Sequence, residues 1–181
     1  PASLVIEPDG TRLGPATVAR SGRAVAVPGA VAALFALHAR HGRLPWGTLF
    51  EPAIRLAEDG FPMPPYLHAV LSARAVPLRA VPPIRALYFD AEGAPRAVGA
   101  MLRNPAQATA LRALATEGPA ALHDGPLGEA MRAATEASAL PGRLTREDFV
   151  LYRVREREPV CGAVFSRRIC SVAPPASGGI A

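Results

Sequence analysis

The most regular apolar pattern lies in residues 30–42, where large apolar side chains recur at helical spacing. This spacing predicts an α-helix with one apolar face. The face is formed by Val31, Leu34, Phe35 and His38. A valine-rich run at 24–27 precedes the helix and predicts a strand, with Pro28-Gly29 as the turn between them and Gly42 as the helix stop.

A second helix is predicted from Thr48 to Asp59. Thr48 is a suitable N-cap and Glu51 follows three residues later, which is the capping-box pattern. Gly60 supplies the stop signal. The apolar stripe consists of Leu49, Ala53, Leu56 and Ala57. The two helices are therefore expected to pack against each other as a helical hairpin.

Prolines punctuate residues 61–104 and break any long helix, so we expect one helix near 66–75 and a loop-rich stretch after it. Asn104-Pro105 then begins a helix that runs to Glu117, because Asn is a good N-cap and Pro is tolerated at the first helical position. A further helix is predicted over 127–138. Thr145 is expected to cap a short helical turn that ends at Tyr152.

From Pro159 onward the pattern changes to strict alternation, which predicts a β-hairpin. Cys161 and Cys170 lie on opposite arms. A turn at Phe165-Ser166 places them face to face, whereas a turn at Ser166-Arg167 makes them diagonal neighbours, with Cα atoms about 7–8 Å apart and too distant for a relaxed bridge. We favour the second register, and the sequence leaves open whether a disulfide forms.

Composition and charge exclude several classes of protein. The chain has 181 residues and a net charge of +5, but all 20 of its cations are Arg and they are interleaved with acids, as in 153–158. A nucleic-acid-binding surface would need a basic block, so this class is excluded. No window reaches the roughly 18 consecutive apolar residues that a membrane span needs. Aromatic residues make up 6% of the chain, which predicts a thin core.

Candidate chemistry is sparse. The four histidines do not have the spacing of a zinc motif, and His38 and His41 are explained as cations near a helix C-terminus. Residues 174–179 contain two glycines but neither the lysine of a phosphate-binding loop nor a nucleophile elbow. We therefore predict no catalytic, cofactor-binding or metal-binding residue in residues 1–181.

Several stretches together resemble one enzyme family. They lie at 24–34, 41–46, 49–61, 144–149 and 174–179, and shorter matches fall between them at Asn104-Pro105, Glu117-Gly118-Pro119 and Arg157-Glu158-Pro159-Val160. In this order they resemble the large, non-nucleophilic half of γ-glutamyltranspeptidase-type N-terminal-nucleophile hydrolases. The resemblance covers nearly the whole chain.

The resemblance implies an α+β fold that is part of a four-layer αββα N-terminal-nucleophile hydrolase, with this fragment mostly helical and ending in a β-hairpin. Members of the family are made as a precursor that cleaves itself and frees an N-terminal threonine, which acts as nucleophile with its own amine as base. They cleave γ-glutamyl amides such as glutathione and pass the γ-glutamyl group to water or an amino acid. That threonine would lie in the small catalytic subunit, which is absent from residues 1–181, and the two subunits would form a heterodimer.

We interpret the chain as a single partial domain from the middle of the large subunit. It lacks an initiator Met and stops as an apolar run begins. Bacterial relatives are commonly exported, so a periplasmic or secreted protein is expected. A cephalosporin acylase-like or poly-γ-glutamate-processing enzyme on the same scaffold is an alternative. A non-catalytic helical interaction module from a truncated gene is another.

One family motif is expected at the very start of the chain, and the chain departs from the family pattern at two other places. The family's substrate-binding arginine belongs to an Arg-Glu-x-Ala-Pro motif of which Pro1 would be the last residue, and Arg12 does not fit that motif. The Pro-Pro-Ser-Ser-Gly-Gly segment has Ala176 in place of its first serine. The Tyr-Arg-Gly-Tyr corner is replaced by residues 165–168, which removes a turn glycine.

Overall fold

The computed structural model describes residues 5–7, 9–19 and 21–173 of the chain. The helices are α1 Pro15–Ala19, α2 Ala30–His41, α3 Glu51–Asp59, α4 Pro65–Ala73, α5 Ala75–Arg79, α6 Pro82–Tyr88, α7 Pro105–Glu117, α8 Ala120–His123, α9 Pro126–Glu136 and α10 Arg146–Val150. The strands are β1 Phe61–Pro62, β2 Met101–Leu102, β3 Val160–Val164 and β4 Arg167–Ser171. The strands form two antiparallel pairs, β1 with β2 and β3 with β4. Residues 174–179 lie outside the described part of the chain.

The helix predicted at 30–42 is confirmed as α2, but the strand predicted at 24–27 is wrong. Gly22–Ala24 form a 3-10 turn, and residues 25–29 run on without a strand partner. A valine-rich run favours a strand only where another strand lies beside it. In this chain the segment lies beside a helix instead, because the 3-10 turn that precedes it packs against α9.

The second predicted helix exists, but Thr48 does not cap it. The Thr48 and Leu49 amides donate to the carbonyls of Pro45 and Trp46, so the chain is already turning before α3 begins. The resulting 3-10 turn Gly47–Phe50 runs directly into α3. Pro52 lies near the start of α3 and has no backbone N–H. The first turn of the helix therefore has one fewer unpaired N–H group for a side-chain cap to bind. α3 packs along α7, and the helical hairpin predicted between α2 and α3 is not observed as a main packing contact among the described residues.

The proline-rich middle of the chain is more helical than predicted. α4 confirms the helix expected near 66–75, but α5 and α6 occupy the stretch predicted to be loop. Pro82 and Pro83 open α6, and Pro77 lies in the first turn of α5, where helical amides have no intrahelical partner. The prolines therefore start new helices here instead of excluding them.

The largest buried cluster lies beneath α4, α5 and α6. Its buried members are Met63, Leu71, Phe89 and Leu102. Partly buried apolar side chains from the same helices pack around them, and the short β1–β2 pair holds Phe61 opposite Leu102. Many large apolar side chains elsewhere in the described residues are exposed, including those of α2. The core is thin, as the composition predicts.

Side-chain caps fix the starts of α7 and α10. The Asn104 side chain accepts a hydrogen bond from the Gln107 amide at 3.0 Å, which confirms the predicted cap. Thr145 forms a complete capping box with Asp148. The Asp148 amide donates to the Thr145 hydroxyl, and the Thr145 amide donates to Asp148 Oδ2 at 2.8 Å. The predicted caps at Asn104 and Thr145 are thus both confirmed.

We expect the Asp148 cap to weaken in acid. The backbone and hydroxyl hydrogen bonds from Thr145 hold the pKa of the Asp148 carboxyl below its usual range. A lowered folded-state pKa contributes stability above the unfolded value of about 4, and that contribution is lost as the pH falls through the folded value. In urea unfolding, the difference between the wild type and Asp148→Asn should therefore be largest at neutral pH and shrink below about pH 4.

Glu147→Gln is the control for this pH dependence, because it removes a charge from the same turn and leaves the capping box intact. A difference between wild type and Asp148→Asn that stays constant down to the most acidic condition would contradict the assigned role of the carboxylate.

The C-terminal hairpin is present, but the favoured register is wrong. Cys161 lies opposite Cys170 and Val164 lies opposite Arg167, so the turn is Phe165-Ser166. Both turn residues have positive φ, 46° and 63°. Two left-handed residues match the twist of a two-residue hairpin, and this geometry is chosen here without a glycine.

None of the helices in the described ranges is long and apolar enough to span a lipid bilayer.

Candidate functional site

The Pro28-Gly29 turn is held by two residues from the distant half of the chain. His123 Nε2 lies 3.0 Å from the Pro28 carbonyl, which accepts its hydrogen bond. The Tyr152 ring stacks edge-on to His123 with centroids 5.1 Å apart. A Cβ on Gly29 would lie 2.0 Å from the Tyr152 hydroxyl oxygen, so a side chain at this position would require the Tyr152 ring to move. The contact joins the start of α2 to the ends of α8 and α10.

Trp46 anchors the segment that follows α2. Its Nε1 donates to the Leu114 carbonyl of α7 at 2.9 Å. Phe35, His38 and Phe50 meet its ring edge-on, with centroids 5.0–5.3 Å away. Such edge-to-face pairs are the favoured geometry for aromatic rings. The indole therefore fixes α2, the 3-10 turn and α7 relative to one another.

An open apolar groove of about 440 Å³ lies beside Trp46. Leu34 and Leu37 of α2 form one wall and Leu49 forms part of the other. Their side chains are 58%, 56% and 46% exposed. We call this surface the α2 groove. Exposed apolar area of this kind is typical of surfaces that bind another protein segment, a membrane or a ligand.

The histidines do not assemble a metal site. His38 Nε2 bonds to the Leu44 carbonyl at 2.8 Å, and His41 lines the α2 groove. Within the part of the chain that the structure describes, no three His, Cys, Asp or Glu side chains are placed to share a metal ion. The interpretation of His38 as a helix C-terminal cation is incomplete, since the residue also bonds the chain that follows the helix.

A second close approach joins the 3-10 turn Gly22–Ala24 to the end of α9. The Gly22 amide donates to the Ser138 hydroxyl at 2.9 Å. A Cβ on Gly22 would lie 2.1 Å from the Thr135 carbonyl oxygen and 2.6 Å from the Gly142 nitrogen. The Gly142 amide in turn donates to the same Thr135 carbonyl. Three backbone segments thus meet where only a glycine leaves room.

The hairpin carries a disulfide between Cys161 and Cys170, whose Cα atoms are 4.1 Å apart. Arg168 Nη2 lies 3.4 Å from Cys161 Sγ. Cys170 lines a groove of about 370 Å³ together with Arg155 and Arg157, on the extended segment that leads into β3. We call this surface the disulfide groove. The sequence left open whether this bridge forms and favoured the register in which the cysteines are only diagonal neighbours, so neither the pairing nor the charges around it were predicted.

The extended segment before the hairpin is tied to α2 by the exposed ion pair Arg40–Glu156. The hydrogen bond and charge of Arg40 lower the pKa of the Glu156 carboxyl, and Glu156 raises the pKa of the guanidinium. Because both groups are exposed, this pair orients the segment and adds little stability.

We expect Ser166→Gly to stabilise the hairpin. A non-glycine residue in the left-handed region costs about 1–2 kcal/mol, and Ser166 has a φ of 63°. Glycine removes much of that cost in the folded state. It also makes the unfolded chain more flexible, which offsets part of the gain, so the free energy of unfolding should rise by about 1 kcal/mol. Amides of residues 160–171 should then exchange with deuterium roughly fivefold more slowly.

Arg167→Gly is the matched control for the turn, because residue 167 is in strand β4 and glycine weakens a strand. Faster exchange in Ser166→Gly than in the wild type would show that the turn does not lie at residues 165–166.

A sequence model of the family described as gamma-glutamyltranspeptidase matches residues 4–181. The chain belongs to this family. The γ-glutamyltranspeptidase stretches at 24–34 and 41–46 are thereby located in the fold, at the Tyr152 contact and around Trp46. Arg12, which the sequence analysis left without a role, is exposed and forms a single β-bridge with Ile6.

Relatives of the chain carry several enzyme names. "Glutathione hydrolase 3" of Arabidopsis thaliana is 33% identical over 154 residues, which is 85% of this chain and 24% of that protein. "Acylase ACY 1 proenzyme" of Pseudomonas sp. (strain V22) is 36% identical over 158 residues, 87% of this chain and 28% of that protein. The chain therefore spans about a quarter of the length of these curated relatives.

The crystal structure of Helicobacter pylori γ-glutamyltranspeptidase superimposes with a TM-score of 0.84 at 25% identity, over 97% of this chain and 49% of that one. This likeness confirms the predicted fold class: the chain is an α+β part of an N-terminal-nucleophile hydrolase, mostly helical with a C-terminal β-hairpin. Family members are γ-glutamyltransferases and glutathione hydrolases, so the family is one of enzymes.

Sequence reasoning missed His123 and Tyr152 as the residues that hold the Pro28-Gly29 turn. Both lie more than 90 positions from that turn. The one available signal was that Pro28-Gly29 lies in a stretch that resembles the family and that Tyr152 closely follows another such stretch, at 144–149.

Proposed function

We propose that the chain is a part of the large subunit of a γ-glutamyltransferase/glutathione hydrolase precursor. The observation that carries this proposal is the family match along residues 4–181. The proposed reaction is attack of an N-terminal threonine, located outside this chain, on a γ-glutamyl amide such as glutathione. The γ-glutamyl-enzyme then passes its acyl group to water or to an amino acid.

The role of residues 1–181 in this scheme is to form the helical layer and a hairpin that position the catalytic half. Two close approaches support a rigid scaffold, since Gly22 and Gly29 each contact groups at the far end of the chain. Residues that pack around an active site without contacting the substrate hold the reacting groups in their positions. The substrate-binding and catalytic groups are proposed to lie in the remainder of the precursor.

The test is release of p-nitroaniline from γ-glutamyl-p-nitroanilide by the complete gene product that contains this chain. We expect release by the self-cleaved complete protein, a faster rate when an acceptor amino acid or dipeptide is added, and none by the 181-residue chain alone. A self-cleaved protein that leaves this substrate intact would overturn the γ-glutamyl specificity.

An acylase is the second candidate, because one relative at 36% identity bears that name. Glutaryl-p-nitroanilide separates the two, since it differs from the first substrate by lacking the α-amino group. A γ-glutamyl enzyme that binds this ammonium should prefer the γ-glutamyl anilide strongly, because a polar site left unpaired discriminates by several orders of magnitude. Preference for the glutaryl anilide would favour the acylase, including the cephalosporin type.

The proposed partner of the α2 groove is the remainder of the same precursor. The chain spans about a quarter of its relatives' length, so other parts of the precursor are available to cover apolar surfaces that are exposed here. The hairpin supports this, since each of its strands pairs only with the other within the described residues. Unpaired strand edges and exposed apolar grooves promote association with other chains or aggregation. We expect the isolated chain to aggregate or unfold without a sharp transition.

Leu37→Glu tests the α2 groove as an internal interface. A carboxylate buried there without a partner should prevent assembly. We expect the yield of soluble, self-cleaved protein to fall at least tenfold, the effect of about 1.4 kcal/mol. Val76→Glu is the control, because Val76 is 70% exposed and lies outside the groove. Normal yield from Leu37→Glu would contradict the interface.

A non-catalytic helical module from a truncated gene remains the third candidate. It requires that the neighbouring coding sequence lack a Thr-Thr-His-type processing site, and finding that site removes it. Export to the periplasm or the medium is part of our proposal. The Cys161–Cys170 bridge supports it, because disulfides persist in oxidising compartments. Cell fractionation that finds the mature protein only in the cytoplasm would overturn it.

A further inference from the structure

The disulfide of the C-terminal hairpin lies at the surface of the described residues. Cys170 is exposed and Cys161 is half-buried. Neither side chain belongs to the buried cluster, and the proposed γ-glutamyl chemistry uses neither. An accessible disulfide can react with thiols, whereas one enclosed in a core cannot.

Arginines lie on both sides of this disulfide. Arg168 Nη2 is 3.4 Å from Cys161 Sγ, and Arg155 and Arg157 line the disulfide groove with Cys170. Among the described residues, none of the three has a carboxylate within 4.0 Å. Glu156, the acid between Arg155 and Arg157, is paired with Arg40, and Glu158 is the remaining acid of the segment. The residues that line the groove therefore carry two positive charges and no negative one.

We propose that Cys161–Cys170 is a thiol-exchange site for anionic low-molecular-weight thiols. The positive groove attracts a thiol that carries a carboxylate, and this raises the thiol's local concentration at Cys170. The exposed Cys170 sulfur receives the attack. The neighbouring guanidinium of Arg168 stabilises the negative charge that develops on the departing Cys161 sulfur.

The exchange is balanced without a further oxidant. The thiolate forms a bond to Cys170 Sγ, the Cys161–Cys170 bond breaks, and the electron pair leaves on Cys161 as a thiolate. A second thiolate then attacks the sulfur of the bound thiol, which releases a small disulfide and leaves Cys170 as a thiolate. The protein disulfide is reduced and two small thiols are oxidised. Because the bridge joins β3 to β4, the exchange removes the covalent link between the two strands.

The test treats the oxidised complete gene product with three thiols of similar size, 3-mercaptopropionate, 2-mercaptoethanol and cysteamine, which are anionic, neutral and cationic. None contains a γ-glutamyl bond, so the result is independent of the proposed enzyme activity. The readouts, after acid quench and alkylation, are the rate of disulfide opening and the mass of the adduct on the Cys170 peptide. Rates are compared at equal thiolate concentration.

We expect Arg155→Gln/Arg157→Gln to slow the reaction of 3-mercaptopropionate about tenfold, the lower end of electrostatic steering, and not to slow that of cysteamine. The effect should vanish at about 1 M salt, where the Debye length is about 3 Å. Arg168→Gln should slow all three thiols. The matched control is Arg43→Gln, an exposed arginine outside the groove, which should change none of the rates.

Two results would overturn the proposal. One is a disulfide that all three thiols leave intact in the complete protein, which means that the bridge is enclosed and only structural. The other is exchange that Arg155→Gln/Arg157→Gln leaves unchanged for every thiol, which means that the arginines do not select the reactant.

Discussion

Gly22→Ala should disrupt the junction between the first 3-10 turn and the end of α9. The added methyl would lie 2.1 Å from the Thr135 carbonyl oxygen and 2.6 Å from the Gly142 nitrogen. Both are backbone atoms, so relief requires the chain to move, and it would break the Gly22–Ser138 hydrogen bond. Overpacking of a tight site costs about 1–3 kcal/mol, and we expect about 3 kcal/mol here because no flexible side chain can yield.

Hydrogen exchange of the complete gene product measures this effect locally. Amides in 21–24 and 135–142 should exchange roughly a hundredfold faster in Gly22→Ala, since 1.4 kcal/mol corresponds to a factor of ten. Gly47→Ala is the control, because its Cβ would meet only an ordinary 3.4 Å contact with the Ala115 carbonyl. Equal exchange in Gly22→Ala and wild type would show that these three segments do not meet.

Helices with local start and stop signals were predictable from the sequence. Asn104-Pro105 opens α7, and Gly118 with a φ of 60° closes it. The Thr145 cap likewise needs only the three residues that follow it. In each case the stabilising hydrogen bonds join neighbours in sequence, so the pattern contains the information.

Predictions failed where the deciding contact was distant. The run at 24–27 resembles a strand, but Gly22 packs against α9 more than 100 residues away, and no strand is beside it. Thr48 fits an N-cap pattern, yet the chain is already turning because Trp46 is anchored on α7. Neither contact has a signal in the local sequence.

In the candidate site, too, local features were predictable from the sequence and contacts between distant segments were not. The resemblance located the family stretches and gave the fold, but it could not say that His123 and Tyr152 close over Pro28-Gly29. The hairpin register depended on whether two non-glycine residues would accept positive φ. Neither of the two candidate turns contains the glycine or asparagine that such turns usually have, so turn rules could not separate the two registers. The disulfide, with Cα atoms 4.1 Å apart, forms in the register that places the cysteines face to face.

Because the disulfide holds a strained turn in place, we expect Cys161→Ser/Cys170→Ser to destabilise the hairpin strongly. The bridge closes a loop with a sequence separation of 9, and a loop of this length restricts the unfolded chain by about 2–3 kcal/mol. Phe165 and Ser166 oppose the turn at the same time, since both occupy the left-handed region. Without the bridge, the turn at Phe165-Ser166 is still strained, and the covalent link that offsets this strain is gone. Amides of residues 160–171 should then exchange about a hundredfold faster, while those of α7 should not change.

Adding Ser166→Gly to this double variant tests the argument further. If the bridge compensates for a strained turn, glycine should recover about 1 kcal/mol of the lost stability, roughly a fivefold slowing of exchange in the same amides. Treatment of the wild type with a reductant should reproduce the effect of the double variant, and the same treatment should leave the double variant unchanged. Exchange in 160–171 that is insensitive both to reduction and to the cysteine substitutions would mean that contacts elsewhere in the complete gene product, rather than the bridge, hold the hairpin in register.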